Sequence, residues 1–163
     1  MNDTATAHRR RAARALALAD TARLADLWAA WPDAPEVEYL RGPEAGLVMV
    51  QGRIGGSGDR FNLGEATVTR ATALLHGGAL GAERLGTSYV LGSDPAHAGL
   101  AAIFDALLTD PATAPQALSE VIEPLEREQA HRDDRARAEA HATQVNFFTV
   151  ARENLGGDEE DDE

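Results

Sequence analysis

Three arginines and four glycines crowd into one stretch, Arg53-Ile54-Gly55-Gly56-Ser57-Gly58-Asp59-Arg60-Phe61-Asn62-Leu63-Gly64-Glu65-Ala66-Thr67-Val68-Thr69-Arg70. Arginine carries a rigid fork of donors that matches a phosphate or a carboxylate. Glycine takes positive φ and lets a ligand come close to the backbone. The combination points to an anion site, with the N–H groups of Gly55, Gly56 and Gly58 as its cradle and Arg53, Arg60 and Arg70 as its cations. The plain alternative is a hairpin turn. Strand-to-strand context supports that alternative, because no helix N-terminus follows the loop to reinforce an anion. Arg53 and Arg70 fall on adjacent strands and are expected to be able to converge on one face.

Two further side chains are of the kind that moves protons. Glu65 is a general base if it is buried beside an arginine, and a surface glutamate otherwise. His97 follows Asp94 by three residues and lies at the inner edge of a helix stripe. It is either a catalytic or ligand-binding imidazole or a partly buried histidine bonded to the Asp94 cap. The histidines at 8, 76, 97, 131 and 141 show neither H-E-x-x-H nor H-x-H spacing, so no metal site is expected. With no cysteine, disulfides, thiolate zinc sites, cysteine nucleophiles and Cys-ligated iron–sulfur clusters are excluded. With no lysine, a Walker A loop and Schiff-base chemistry are excluded too.

The elements that must position these residues read as an α+β domain. Helices are expected over 4–19 and 21–30, the second with Leu24, Leu27, Trp28 and Trp31 on one stripe. Strands are expected at 36–41, 46–54, 61–75 and 86–91, with a turn at Gly42-Pro43-Glu44-Ala45. Their short joins make a four-stranded antiparallel meander, with helices before and after it. Asp94-Pro95 is an N-cap followed by proline at the first helical position. Leu100, Ile103, Phe104, Leu107 and Leu108 form the apolar stripe of the helix it opens. A short helix is expected at 115–122.

From 126 to 142 no large apolar residue occurs, and a long polar C-terminal helix is expected there. Val145, Phe147, Phe148 and Val150 then form an apolar knot, read either as a docking segment for a partner or as core for a folded-back arm. Residues 1–152 make one domain, and 153–163 read as a disordered acidic tail.

Bulk composition agrees with a small core. Alanine supplies 32 of the 163 residues and aromatics only 5%. Such a chain gains from a partner that completes its burial. The formal charge of −12 argues against nucleic acid as a main partner, although the six acids at 158–163 carry half of it. No apolar run reaches 18 residues, so no membrane span is expected, and the cytoplasm is the default location.

Residues 45–70, A-G-L-V-M-V-Q-G-R-I-G-G-S-G-D-R-F-N-L-G-E-A-T-V-T-R, resemble the centre of the G subunit of the carbon–phosphorus lyase complex, the PhnG family. The likeness continues through Tyr89-Val90-Leu91-Gly92, Asp94 with His97-Ala98, and Asp105-Ala106-Leu107, and ends at Val145-Asn146-Phe147-Phe148-Thr149-Val150-Ala151-Arg152. The resemblance implies phosphonate catabolism under phosphate starvation. The G subunit would act with the H, I and L subunits to make ribose 1-alkylphosphonate 5-triphosphate from ATP and an alkylphosphonate, releasing adenine. It implies a two-fold G, H, I and J core, no cofactor on this chain, and a non-redox accessory role. The rival reading is a stand-alone small-molecule enzyme built on Arg53, Glu65, Arg70 and His97. Ser93, where the family often has a basic residue, a long connection at 79–85 and the acidic tail depart from the family pattern.

Overall fold

The computed structural model describes residues 3–142, with side chains from Arg9 to His141. The acidic tail and the segment holding Val145, Phe147, Phe148 and Val150 lie outside the described residues. Helix α1 (Asp3–Ala17) leads into α2 (Thr21–Ala29). Asp20 stands at the junction because its carboxylate accepts the N–H groups of Ala22 and Arg23, at 2.9 and 3.2 Å. These are donors a helix start leaves unpaired.

Among the described residues the sheet has three strands, not the four expected. They are β1 (Glu36–Arg53), β2 (Arg60–His76) and β3 (Arg84–Leu91), antiparallel in the order β1-β2-β3. The segment read as a turn at Gly42-Pro43-Glu44-Ala45 is part of β1, so the two expected strands at 36–41 and 46–54 are one. The ladder shifts register between Tyr39 and Arg41 and again between Arg41 and Glu44, so the extra residues leave as bulges rather than as a reversal. Pro43 is tolerated because β1 is an edge strand, where a missing N–H costs no ladder bond.

After β3, helix α3 (Pro95–Leu107) crosses the sheet. Its N-cap Asp94 accepts the His97 N–H at 2.9 Å and the Thr21 hydroxyl at 2.7 Å, and its own N–H donates to the Thr69 hydroxyl at 3.0 Å, tying α2, α3 and β2 at one point. The helix packs so closely on β3 that a Cβ at Gly86 would run into the Ala102 carbonyl and Ala106. Phe104 fills the space between sheet and helices, edge-on to Trp28 at 6.2 Å and to Trp31 at 6.1 Å. Small residues (Ala71, Ala73, Ala98, Ala101, Ala102 and Ala106) make the rest of that contact. The alanine-rich sequence thus serves a close helix-on-sheet approach.

The chain ends its described part as one long helical run. Helix α4 (Ala114–Gln116) passes through a π-helical turn (Ala117–Ile122) into α5 (Glu123–Ala142). The wide turn abuts Pro124, which has no N–H to give an α-helical ladder. Val121, Ile122 and Leu125 enter the core, and α5 then leaves it. Its moorings are polar: Glu126 with Arg11, Glu128 with Arg23 at 3.2 Å, and Arg132 on the Leu18 carbonyl at 3.0 Å.

Candidate functional site

Strand β3 pairs with β2 only over Val68–Leu75, whereas the β1–β2 ladder runs on to Arg53 and Arg60. Residues 47–67 therefore form a two-stranded arm, about 20 Å long at the usual rise per residue, reaching past the third strand. Hairpins of two strands are marginal in water unless something packs on them.

Both faces of this arm carry exposed apolar side chains, though the Leu47 and Met49 face also holds Gln51, Glu65 and Thr67. By the alternation of a strand, Leu47 and Met49 lie on the side that α3 covers farther back, and Val48 and Val50 lie on the other. Leu63 folds over Gly52, since a Cβ there would sit 2.8 Å from the Leu63 Cδ1. Phe61, opposite Gly52, shares that face. Leu47 is 64% exposed, Met49 52%, Leu63 62% and Ile54 at the tip 72%. Large apolar side chains in these numbers on a projecting element mark an interaction site.

At the tip, Ile54–Gly56 makes a single helical turn in which Gly55 and Gly56 take φ of 59° and 79°. These left-handed conformations favour glycine. The turn closes with the Gly58 N–H on the Ile54 carbonyl at 2.9 Å, and Arg53 Nη1 donates to the Gly58 carbonyl at 3.1 Å. Arg53 and Arg60 are direct cross-strand partners. Among the described residues, neither meets a carboxylate. Gln51 and Asn62 join side chains beside them at 3.1 Å.

The structure brings some of the residues singled out in the sequence together and separates others. Arg53, Gly55, Gly56 and Gly58 share the tip. Arg70 does not join them: it lies ten residues along β2 from Arg60, roughly 30 Å away along an extended strand. There it forms an ion pair with Glu44 at 2.7 Å. Glu65 faces Met49 on the exposed arm. His97 is buried, and its Nε2 lies 2.7 Å from the Leu16 carbonyl. That oxygen only accepts, so the ring donates from Nε2 and pins α1 to α3. Arg53, Glu65, Arg70 and His97 thus occupy four separate places, and no described constellation joins them.

Two buried carboxylates escaped the sequence reading. Asp105 accepts the Thr87 N–H of β3 at 2.9 Å and Arg9 at 2.9 Å, beside a 400 Å³ cleft between α1 and β3. Asp110 accepts the N–H groups of Ala112 and Gly81 at 2.8 and 3.2 Å, with Arg84 Nε 3.0 Å away but out of hydrogen-bond line. The Ala112 N–H, with Arg84 and Gly81 adding, holds the Asp110 carboxyl below its ordinary range. Both acids serve loops and strand edges, a use that spacing in the sequence does not reveal. The two-sided arm did leave a signal. Leu47-Val48-Met49-Val50 is an unbroken apolar run, the pattern of a strand covered on both faces.

No described group of side chains has the makings of a metal site, and no described helix is long and apolar enough to cross a membrane. The family described as phosphonate metabolism protein PhnG matches residues 7–153. Alpha-D-ribose 1-methylphosphonate 5-triphosphate synthase subunit PhnG of Rhizobium meliloti (strain 1021) is 47% identical over 152 residues, covering 93% of each chain.

Proposed function

The chain belongs to the PhnG family of phosphonate metabolism proteins, and from that premise we propose that it is a subunit of an α-D-ribose 1-methylphosphonate 5-triphosphate synthase. The observation that carries this reading is near-complete mutual coverage at 47% identity with a protein of that name. The chain's own chemistry fits a subunit better than a self-sufficient enzyme. His97 is used in packing, and the Arg53–Arg60 pair sits at the end of an arm that no other described element covers.

In finer terms, the subunit works with partners of the H, I, J and L types in a two-fold assembly in the cytoplasm. That assembly consumes ATP and an alkylphosphonate and releases adenine. This chain binds no cofactor of its own. With Arg70 committed to Glu44, the anion that meets the tip is placed on Arg53 and Arg60, and it belongs to the assembly. Val145, Phe147, Phe148 and Val150 supply a second contact with a partner.

Co-expression of the tagged chain with the remaining synthase subunits tests this reading. Stoichiometric co-purification is the expected result. Recovery of the chain alone, with a synthase that assembles fully without it, would overturn the proposal.

A further inference from the structure

We infer that the arm of residues 47–67 is a wedge that enters a two-walled cleft in a partner protein subunit, with one apolar wall, one mixed apolar and polar wall, and an acidic floor. The inference rests on the subunit reading above and goes further, because it states the shape and charge of the partner's surface. Three observations carry it.

The first is that the arm exposes large apolar side chains on both sides. Leu47 and Met49 face one way, with Thr67 and Glu65 as their cross-strand partners; Val48, Val50, Phe61 and Leu63 face the other. A flat partner surface covers one side and leaves the other in water. A second copy, paired through one face of each arm, leaves the same defect. Two walls remove both faces from water together. The second is the free end. The ladder beyond Val68 has no third strand, so nothing in the described chain obstructs entry of the arm up to the body. The third is charge. Arg53 and Arg60 are opposed at the leading end with no described counter-ion. Like charges directly opposite each other in a sheet oppose pairing. Carboxylates at the bottom of the cleft relieve that repulsion and fix the depth of entry.

The test uses the full chain and the purified subassembly of the other synthase subunits. Met49→Lys puts a charge on one face, Val48→Lys puts one on the other, and Arg53→Glu with Arg60→Glu reverses the tip. Met49→Thr and Val48→Thr repeat the face changes with residues that suit strands. Each lysine variant, and the tip reversal, is expected to weaken binding to the subassembly at least about tenfold, with the fold of the free chain unchanged by circular dichroism. Hydrogen exchange over 47–67 is expected to be fast in the free chain and slow in the complex.

Sensitivity on one face only would replace the cleft by a flat docking site. Wild-type affinity in all variants would remove the arm from the interface while leaving the subunit reading intact. Slow exchange in the free monomer would assign the arm to the chain's own residues beyond 142. Protection that grows with concentration would assign it to a second copy. Failure of the wild-type chain to bind the subassembly at all would remove the subunit reading, and the cleft with it.

Discussion

Arg53 stands directly across the ladder from Arg60, so two guanidiniums share the end of a hairpin whose nearest polar partner is the Gly58 carbonyl, 3.1 Å from Arg53. Opposed like charges cost a sheet pair a few tenths to about 1 kcal/mol. Arg60→Glu should therefore slow hydrogen exchange in the arm of the free chain while weakening assembly. In the fully assembled complex, Arg53→Ala should leave the KM for ATP and for the phosphonate unchanged. A raised KM with intact assembly would place a substrate phosphate at the tip instead of a partner carboxylate.

His97 should matter to folding and not to turnover. His97→Ala takes the shorter of two donors from the Leu16 carbonyl, leaving it the Ala19 N–H at 3.3 Å, and opens a cavity between α1 and α3. Together these should cost about 2–4 kcal/mol, read as a lowered melting temperature. Once assembled, the variant complex should turn over at the wild-type rate. A large loss of kcat at unchanged stability would make the imidazole catalytic.

Acid should loosen the Asp94 joint between α2 and α3 and the hold of Asp110 on the connection into β3. The His97 N–H and then the Thr21 hydroxyl hold the Asp94 carboxyl below its ordinary value of 3.8, and the Ala112 N–H does the same for Asp110. A carboxylate with a depressed folded value adds stability that is complete above the ordinary value. That stability is lost as pH falls through the lower folded value. The melting temperature should drop steeply below about pH 4. In the Asp94→Asn, Asp110→Asn double variant the drop should be shallower. A wild-type acid profile in the double variant would remove these two groups as its source.

Gly86→Ala should destabilise the fold. Its methyl group would meet the Ala102 carbonyl and Ala106, so α3 must lift from the sheet. Overpacking of this kind costs about 1–3 kcal/mol. Thermal or urea unfolding measures it, and an unchanged midpoint would contradict the close contact.

Much of the local structure was legible because it depends on neighbours in the chain. Asp20 and Asp94 announce their helices by cap chemistry, and the glycines at 55 and 56 announce the tight turn. What failed depends on the sheet as a whole. Gly42-Pro43 reads as a turn until β1 is known to be an edge strand, where the pair becomes a bulge. Arg70 reads as a neighbour of Arg53 until the register shows that Arg60 stands there instead. On α5, Glu126 and Glu128 pair with Arg11 and Arg23 on other helices, contacts that no spacing within one helix encodes. The apolar run at 47–50 hints at a strand covered on both faces, but that the arm projects uncovered follows from the short length of β3, which no local pattern encodes.

As a synthase subunit, this chain should be indispensable for turnover and inactive on its own. The most direct measurement is omission and add-back with ATP and methylphosphonate, following release of adenine. The expected result is no release by the isolated chain, little release by the other subunits without it, and recovery when the full chain is returned. Adenine release by the isolated chain, or full release in its absence, would rule out the subunit role proposed for it.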